Sequence, residues 1–264
     1  PRMFGIKTVA TIHGLDWQRS KWGGFASAVL KYGEKTAAKK ADAVIVLSKN
    51  IQDYFEREYN RKTYFIPNGI SKPEKREINL IRNKYGLKKD GYFLFLARIV
   101  PEKGVHYLIE AYNQLQTDKQ LVIAGGSSHS GEYKEKINAL VQANPDIVMT
   151  NFVQGQILEE LYSNAYAFIL PSDVEGMALS LLEAMSYGNC CVVSDIPENT
   201  EVVEDHAITF KKGDVEDLRK KLQGLCDEPE IVISYRRNAA NFICDKYNWD
   251  NVVRQTEEIY EEQL

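Results

Sequence analysis

The sequence predicts an α/β protein of the doubly wound kind, on three observations. Short β-rich runs alternate with amphipathic stretches of helical period from Lys7 to Phe210. Several of the runs, "AVIVL", "LVIAG", "AFIL" and "CCVV", are apolar on both faces, as strands of a helix-covered parallel sheet must be. From Asp214 onward only helical patterning remains.

Strands are expected at Lys7–Ile12, Ala43–Leu47, Thr63–Ile66, Tyr92–Leu96, Gln120–Ala124, Asp146–Met149, Tyr166–Leu170, Cys190–Ser194 and Ala207–Phe210. Helices fit between them at about Phe25–Lys40, Asn50–Glu58, Gly104–Gln116, Glu132–Ala143, Leu158–Ala165 and Leu179–Tyr187. "PNGI" is a turn signal, and the charged stretch after it lacks buried-strand character. A domain boundary is therefore expected within residues 68–90, dividing three strands from about six. Three strands do not complete a doubly wound sheet, so residues 1–70 are expected to follow a missing segment or to pack on a partner.

With 264 residues, 44% of them hydrophobic, the chain has material for one large or two modest cores, which excludes disorder and disulfide-stapled miniproteins. Its net charge of -4 provides no global field for nucleic acid or an anionic membrane, although local basic patches remain open. No apolar run reaches the roughly 18 residues of a membrane span. Cys190, Cys191, Cys226 and Cys244 form no C-x-x-C and read as reduced cytosolic thiols, the first two in a buried strand.

Three segments offer chemistry. In "FLFLARIVPEKG", Arg98 follows a strand's carboxyl end and Lys103 stands at the entry to a helix. Two readings stand: a phosphate or diphosphate site, since ligands of open α/β sheets bind at strand carboxyl ends, or solvated surface charges. In "ILPSDVEGMALSLLEAMSYGNCCVVSD", a helix is expected to open near Met177 or Ala178. Its free amides suit an anion or sugar hydroxyls. Glu175 lies in the loop and Glu183 in the helix, each with two acceptor oxygens for paired hydroxyls. The spacing alone proves nothing, because Glu102 and Glu110 share it. In "TIHGLDW", His13 ends a strand before a Gly turn, as a site residue or a capping turn residue. His106, His129 and His206 read as incidental. "LVIAGGSSHSG" ends a strand at a tight loop with exposed amides, entered at Gly125, without the spacing of a dinucleotide fingerprint. Trp17 and Trp22 suit either a core or an acceptor surface.

Taken in order, "TIHGLDW", "ADAVIVLS", "FIPNGI", "FLFLARIVPEKG", "LVIAGG", "YAFILPSDVEGMALSLLEAMSYG" and "VVSDIPENTEVV" resemble the retaining glycosyltransferases of the GT-B fold, family 4. The resemblance implies two Rossmann-like doubly wound domains facing each other across a cleft, the first only partly present. Residues 1–72 would be the rear of the acceptor-side domain, 73–245 the nucleotide-sugar domain, and 246–264 a helix crossing back. Arg98 and Lys103 match the family's diphosphate-binding pair. Glu175 and Glu183 match its E-x7-E motif, the first near the transferred sugar and the second on the ribose hydroxyls. His13 matches the cleft histidine. Amides of Gly176, Met177, Ala178 and Leu179 would face the sugar or phosphates, with Gly125 also on the donor side. Ala97 replaces the usual Gly before the Arg, and Ala178 and Ser180 replace Gly and Pro of "EGFGLP".

The resemblance implies a hexosyltransferase that takes a nucleoside diphosphate sugar as donor, with no cofactor, no metal and no nucleic acid partner. The acceptor would be a sugar or a lipid-linked molecule in surface polysaccharide or glycolipid synthesis. It places the enzyme in the cytoplasm, with peripheral association at the cytoplasmic face of a membrane for lipid-linked acceptors. The alternative is a non-catalytic nucleotide-sugar-binding subunit whose acceptor site is completed by a partner chain.

Overall fold

Every strand pairing among the described residues is parallel, and the strands fall into two sheets. The computed structural model describes residues 5–18, 23–126 and 131–263. The chain divides into two compact units: Pro1–Ser71 with Glu175–Ala178 and Lys246–Leu264, and Lys72–Val174 with Leu179–Asp245. The α/β class expected from the patterning is the observed one.

In the first unit, β1 (Val9–Ile12), β2 (Ala43–Val46) and β3 (Tyr64–Phe65) lie in the order β1-β2-β3. β2 is buried throughout, which is why "AVIV" carries no polar residue. β1 starts two residues later than expected. The Thr8 amide and hydroxyl instead donate to the Asp42 carboxylate, at 2.9 and 3.1 Å, so the chain enters the sheet only at Val9. Two helices connect the strands, α1 (Gly24–Lys40) and α2 (Lys49–Tyr59). The Ser48 hydroxyl caps α2 by accepting from the Ile51 amide, and Asn60 ends it in a left-handed conformation (φ 49°). The terminal helix Trp249–Gln263 belongs to this unit. Gly69 of the "PNGI" turn lies so close to the Trp249 indole that a side chain there would collide with the ring. The Ile70 amide donates to the Tyr247 carbonyl at 2.7 Å.

The second unit begins with a strap that patterning left without structure. It contains a short helix, α3 (Leu80–Tyr85), pinned by Glu160. The buried Glu160 carboxylate accepts from the amides of Asn79 and Ile81 at 2.9 and 3.1 Å, and from the Gln156 side chain. Burial pushes its pKa up, but these donors outweigh burial and hold it below the ordinary carboxyl range. Then follow β4 (Tyr92–Leu96), a 3-10 turn (Pro101–Lys103), α4 (Val105–Tyr112), β5 (Gln120–Ala124), α5 (Gly131–Gln142), β6 (Ile147–Asn151) and α6 (Gln156–Asn164). The remainder is β7 (Ala167–Leu170), α7 (Leu179–Ser186), β8 (Cys191–Ser194), α8 (Pro197–Val203), β9 (Ile208–Phe210), α9 (Val215–Asp227) and α10 (Pro229–Lys246).

The six strands take the order β6-β5-β4-β7-β8-β9. The chain builds outward from β4 in one direction and from β7 in the other, so the order reverses between these two neighbours. β7 is wholly buried, as are the first four residues of β4, and both pack into the unit's main core. All four cysteines are free, and burial pushes the Cys190 thiol up to about 12.

Several expectations need correction. α3 and α8 were not expected as helices: each is at most seven residues, too short for a periodic stripe. α4 stops at Tyr112 rather than Gln116, and Gly104 lies outside it in a left-handed conformation. α7 starts at Leu179, as the helix expected at Leu179–Tyr187 does, and not at the opening expected near Met177 or Ala178. Those two residues are held in the preceding loop, where the Met177 sulfur accepts from the Asn68 amide at 3.2 Å.

Candidate functional site

Open parallel sheets bind ligands outside the carboxyl ends of their strands, at the point where strand order reverses. Here that point lies between β4 and β7. Arg98 and Lys103 follow β4, and Glu183 follows β7 on α7. The two segments singled out by their residue types thus emerge from neighbouring strands, paired Phe93 to Ala167 and Leu94 to Phe168.

Local turns bring the two loops together. After β4, the 3-10 turn Pro101–Lys103 ends at Gly104, whose φ of 66° reverses the chain into α4. Gly104 is pressed against the Pro171 carbonyl at the end of β7, and a Cβ would occupy the carbonyl's space. The Asp173 amide donates to the Glu102 carbonyl at 2.9 Å, and the Tyr107 hydroxyl donates to the Asp173 carboxylate at 3.2 Å. Lys103, half-buried, is therefore carried on a turn fastened to the β7 loop. On the opposite flank, Gly125 after β5 lies against the Ala97 carbonyl, also with no room for a Cβ. It brings a third strand end beside Arg98, which is half-buried.

A buried polar network braces the β7 loop from below. The Ser194 hydroxyl donates to the Ser172 carbonyl. The Asn199 amide group donates to the Ser194 carbonyl and hydroxyl at 3.2 and 3.1 Å. Ser194 and Asn199 lie in "VVSDIPENTEVV", and patterning gave no hint of their bracing role.

Glu183 is half-buried, one turn into α7. The Tyr162 hydroxyl donates to its Oε2 at 2.8 Å, and the Tyr162 ring stacks on Tyr187 with centroids 5.3 Å apart. Burial pushes the Glu183 pKa above the ordinary carboxyl range, and the Tyr162 hydrogen bond only partly opposes it. A carboxyl whose pKa is higher folded than unfolded binds its proton more tightly when folded, so its ionised form destabilises the fold. That cost is absent below the unfolded pKa, grows as pH rises through the interval between the two values, and is complete above the folded one. Glu183→Gln is therefore expected to raise the melting temperature at pH 7 and to leave it unchanged near pH 3. A stability gain that is equal at both pH values, measured by calorimetry, would contradict this assignment.

The first unit carries the remaining predicted residues except Leu179. His13 is exposed at the carboxyl end of β1. Gly176 lies directly on its carbonyl, where a Cβ would collide, and such a Cβ would stand 3.2 Å from the Gly14 Cα. Glu175, Met177 and Ala178 are buried beside it in the chain, whereas Leu179 is 52% exposed. The structure thus groups His13 with Glu175–Ala178, and Arg98, Lys103 and Gly125 with the strand ends of the second unit. His106 approaches the Tyr133 hydroxyl at 2.7 Å, and His206 stacks on Phe242, so both have local structural settings. The Trp17 indole donates to Glu34. Trp22 and His129 lie outside the described residues.

Comparison with known proteins agrees with this architecture. Residues 77–243, more than half of the chain, match the family model for glycosyl transferases group 1, and residues 2–72 match that for glycosyltransferase family 4. An alpha-maltose-1-phosphate synthase of Mycolicibacterium smegmatis is 27% identical over 98% of this chain and 73% of its own length. An alpha-D-kanosaminyltransferase of Streptomyces kanamyceticus is 26% identical over 99% of this chain and 72% of its own. Among solved structures, Anabaena HepE in complex with UDP and glucose superposes with a TM-score of 0.86 at 18% identity, over 97% of this chain and 72% of that one. Parallel α/β architecture, charged residues at the strand-order reversal and the family match converge, and the chain belongs to the group 1 glycosyltransferases of the GT-B fold.

Proposed function

We propose that the protein is a retaining hexosyltransferase that moves a hexose from a nucleoside diphosphate sugar to an acceptor hydroxyl. The observation that carries this reading is the fastening of the Arg98–Lys103 segment to the β7 loop at the strand-order reversal. It carries two cations at the end of β4, next to the strand that α7 with Glu183 follows, in one unit. Arg98 and Lys103 hold the diphosphate, and Glu183, oriented by Tyr162, accepts from the ribose hydroxyls. Gly125, at the end of β5, lies on the donor side. Glu175 and the amides of Gly176, Met177, Ala178 and Leu179 position the transferred sugar, together with His13. The complex of HepE with UDP and glucose supports this class of donor.

In the reaction, the bond from the anomeric carbon to the phosphate oxygen breaks and one to the acceptor oxygen forms on the same face. The acceptor's proton passes to the departing phosphate oxygen. Negative charge gathers on that oxygen, and Arg98 and Lys103 are the groups that offset it. No metal or cofactor enters the scheme. The acceptor class that fits the family is a sugar or lipid-linked hydroxyl in surface polysaccharide or glycolipid synthesis. The test follows the anomeric centre of the donor sugar by NMR, in enzyme treated with a chelator. Retained configuration at undiminished rate is the expected result; inversion, or loss of activity restored by a divalent cation, would overturn the scheme.

A further inference from the structure

The first unit holds a cavity of about 200 Å³ that binding of the donor leaves unused. Three elements wall it: Ile12 and His13 at the end of β1, Asp16 and Trp17 of the 3-10 turn Asp16–Gln18, and Leu30 and Glu34 of α1. A water's share of the liquid is about 30 Å³, so the space takes about six or seven waters, or one sugar ring in their place.

The walls carry two chemistries. Ile12, Leu30 and the Trp17 indole are apolar, Asp16 and Glu34 are carboxylates, and none of the described lining residues is lysine or arginine. Glu34 is buried and firmly held. Its Oε1 accepts from the Tyr54 and Tyr59 hydroxyls at 2.8 and 2.6 Å, and its Oε2 accepts from Trp17 Nε1 at 3.0 Å. Burial and this carboxylate push the Tyr54 hydroxyl up to about 12 and that of Tyr59 higher still, so both keep their protons and go on donating. A carboxylate has about four lone-pair positions, which leaves one on Oε2 for a ligand.

Electrostatics selects the occupant. Two carboxylates with no lining cation repel an anion. A cation is disfavoured as well, because the Lys31 ammonium already lies 4.5 Å from the Trp17 ring centroid and three donors already offset the Glu34 charge. A neutral molecule with hydroxyls to donate and an apolar face for the indole satisfies every wall, and a sugar ring has both. At the His13 end, Gly176 rests on the His13 carbonyl within the same unit. The cavity thus adjoins the loop to which the proposed function gives the transferred sugar.

We infer that this cavity is the acceptor subsite and takes one neutral sugar ring, its hydroxyls on Asp16 and Glu34 and its apolar face on Trp17, Ile12 and Leu30. The inference rests on the hexosyltransferase reading and narrows it, selecting an uncharged sugar over a uronic acid or an amino sugar as the unit that receives the hexose.

The test follows the Trp17 indole N–H resonance of the 264-residue chain, assigned with Trp17→Phe, without any nucleotide present. The probes are the methyl glycosides of glucose, galactose, mannose, rhamnose and N-acetylglucosamine, with those of glucuronic acid and glucosamine as charged counterparts. At least one neutral glycoside is expected to shift the resonance, with the glucuronide binding about tenfold more weakly or worse. Asp16→Ala should weaken binding by about tenfold or more, and Leu30→Phe, which fills the cavity, should abolish it. Asp16 is exposed, so a melting temperature near wild type is the folding control for that variant. The inference is overturned if no neutral glycoside moves the resonance, if the glucuronide binds as well as the glucoside, or if Asp16→Ala binds as wild type does. A parallel titration with uridine, guanosine and adenosine diphosphate glucose separates the two levels. Nucleotide-sugar binding with an empty cavity overturns this inference alone, whereas glycoside binding with no nucleotide-sugar binding overturns the hexosyltransferase reading and the acceptor assignment with it.

Discussion

Lys103→Ala is expected to cut turnover by roughly 100- to 1000-fold while leaving the melting temperature close to wild type. The magnitude is that of removing one preorganised group from a developing oxyanion. The stability expectation follows from position: Lys103 is half-buried at the end of a short turn, outside the hydrophobic core. Measurement at saturating donor separates lost transition-state stabilisation from lost binding. Unchanged turnover under those conditions would remove Lys103 from the diphosphate role.

Gly104→Ala should be strongly destabilising, costing about 2–5 kcal/mol. Placing alanine in the left-handed conformation costs roughly 1–2 kcal/mol, and forcing a Cβ into the Pro171 carbonyl adds overpacking of about 1–3 kcal/mol. For a chain of this size that is a fall in melting temperature of roughly 4–20 °C. Gly86→Ala is the matched control. Gly86 has a φ of 70°, against 66° at Gly104, but a Cβ there meets nothing within 4 Å. The control shares the conformational cost and lacks the collision. Equal destabilisation of the two variants would show that the close approach of the β4 and β7 loops contributes nothing.

Patterning located the nine strands of the described residues because their residue types leave little choice. Segments such as Phe93–Phe95 and Ala167–Leu170 have no polar position, and only a strand covered on both faces accommodates that. It overran β1 because Asp42, distant in sequence, claims the Thr8 amide. It passed over α3 because that helix buries only Ile81 and depends on Glu160, almost eighty residues away, for its first hydrogen bonds. The Pro at the start of α8 was a usable signal, since proline suits the first turn of a helix.

At the candidate site, the charged residues were legible and their supports were not. Arg98, Lys103 and Glu183 announce themselves by type and by the strands before them. Strand order is not written in the alternation of elements, so the adjacency of β4 and β7 became evident only in three dimensions. Tyr162 reads in sequence as one more core aromatic on α6, yet its hydroxyl orients Glu183 from 21 residues away. Gly104 reads in sequence as the first residue of a helix and Gly176 as a loop residue, whereas each marks a backbone contact too close for any side chain.

Binding of the donor at the reversal between β4 and β7 is the central claim, and calorimetric titration with uridine, guanosine and adenosine diphosphate sugars tests it most directly. A ligand that binds the folded state also raises its stability by mass action, about 2.7 kcal/mol at a hundredfold excess over Kd, so a thermal shift should accompany the heat. The account predicts that one base is preferred, and that Arg98→Ala and Glu183→Ala each abolish both signals while folding normally. Binding that survives in both variants, or no binding of any of the three to the folded wild-type chain, would contradict it.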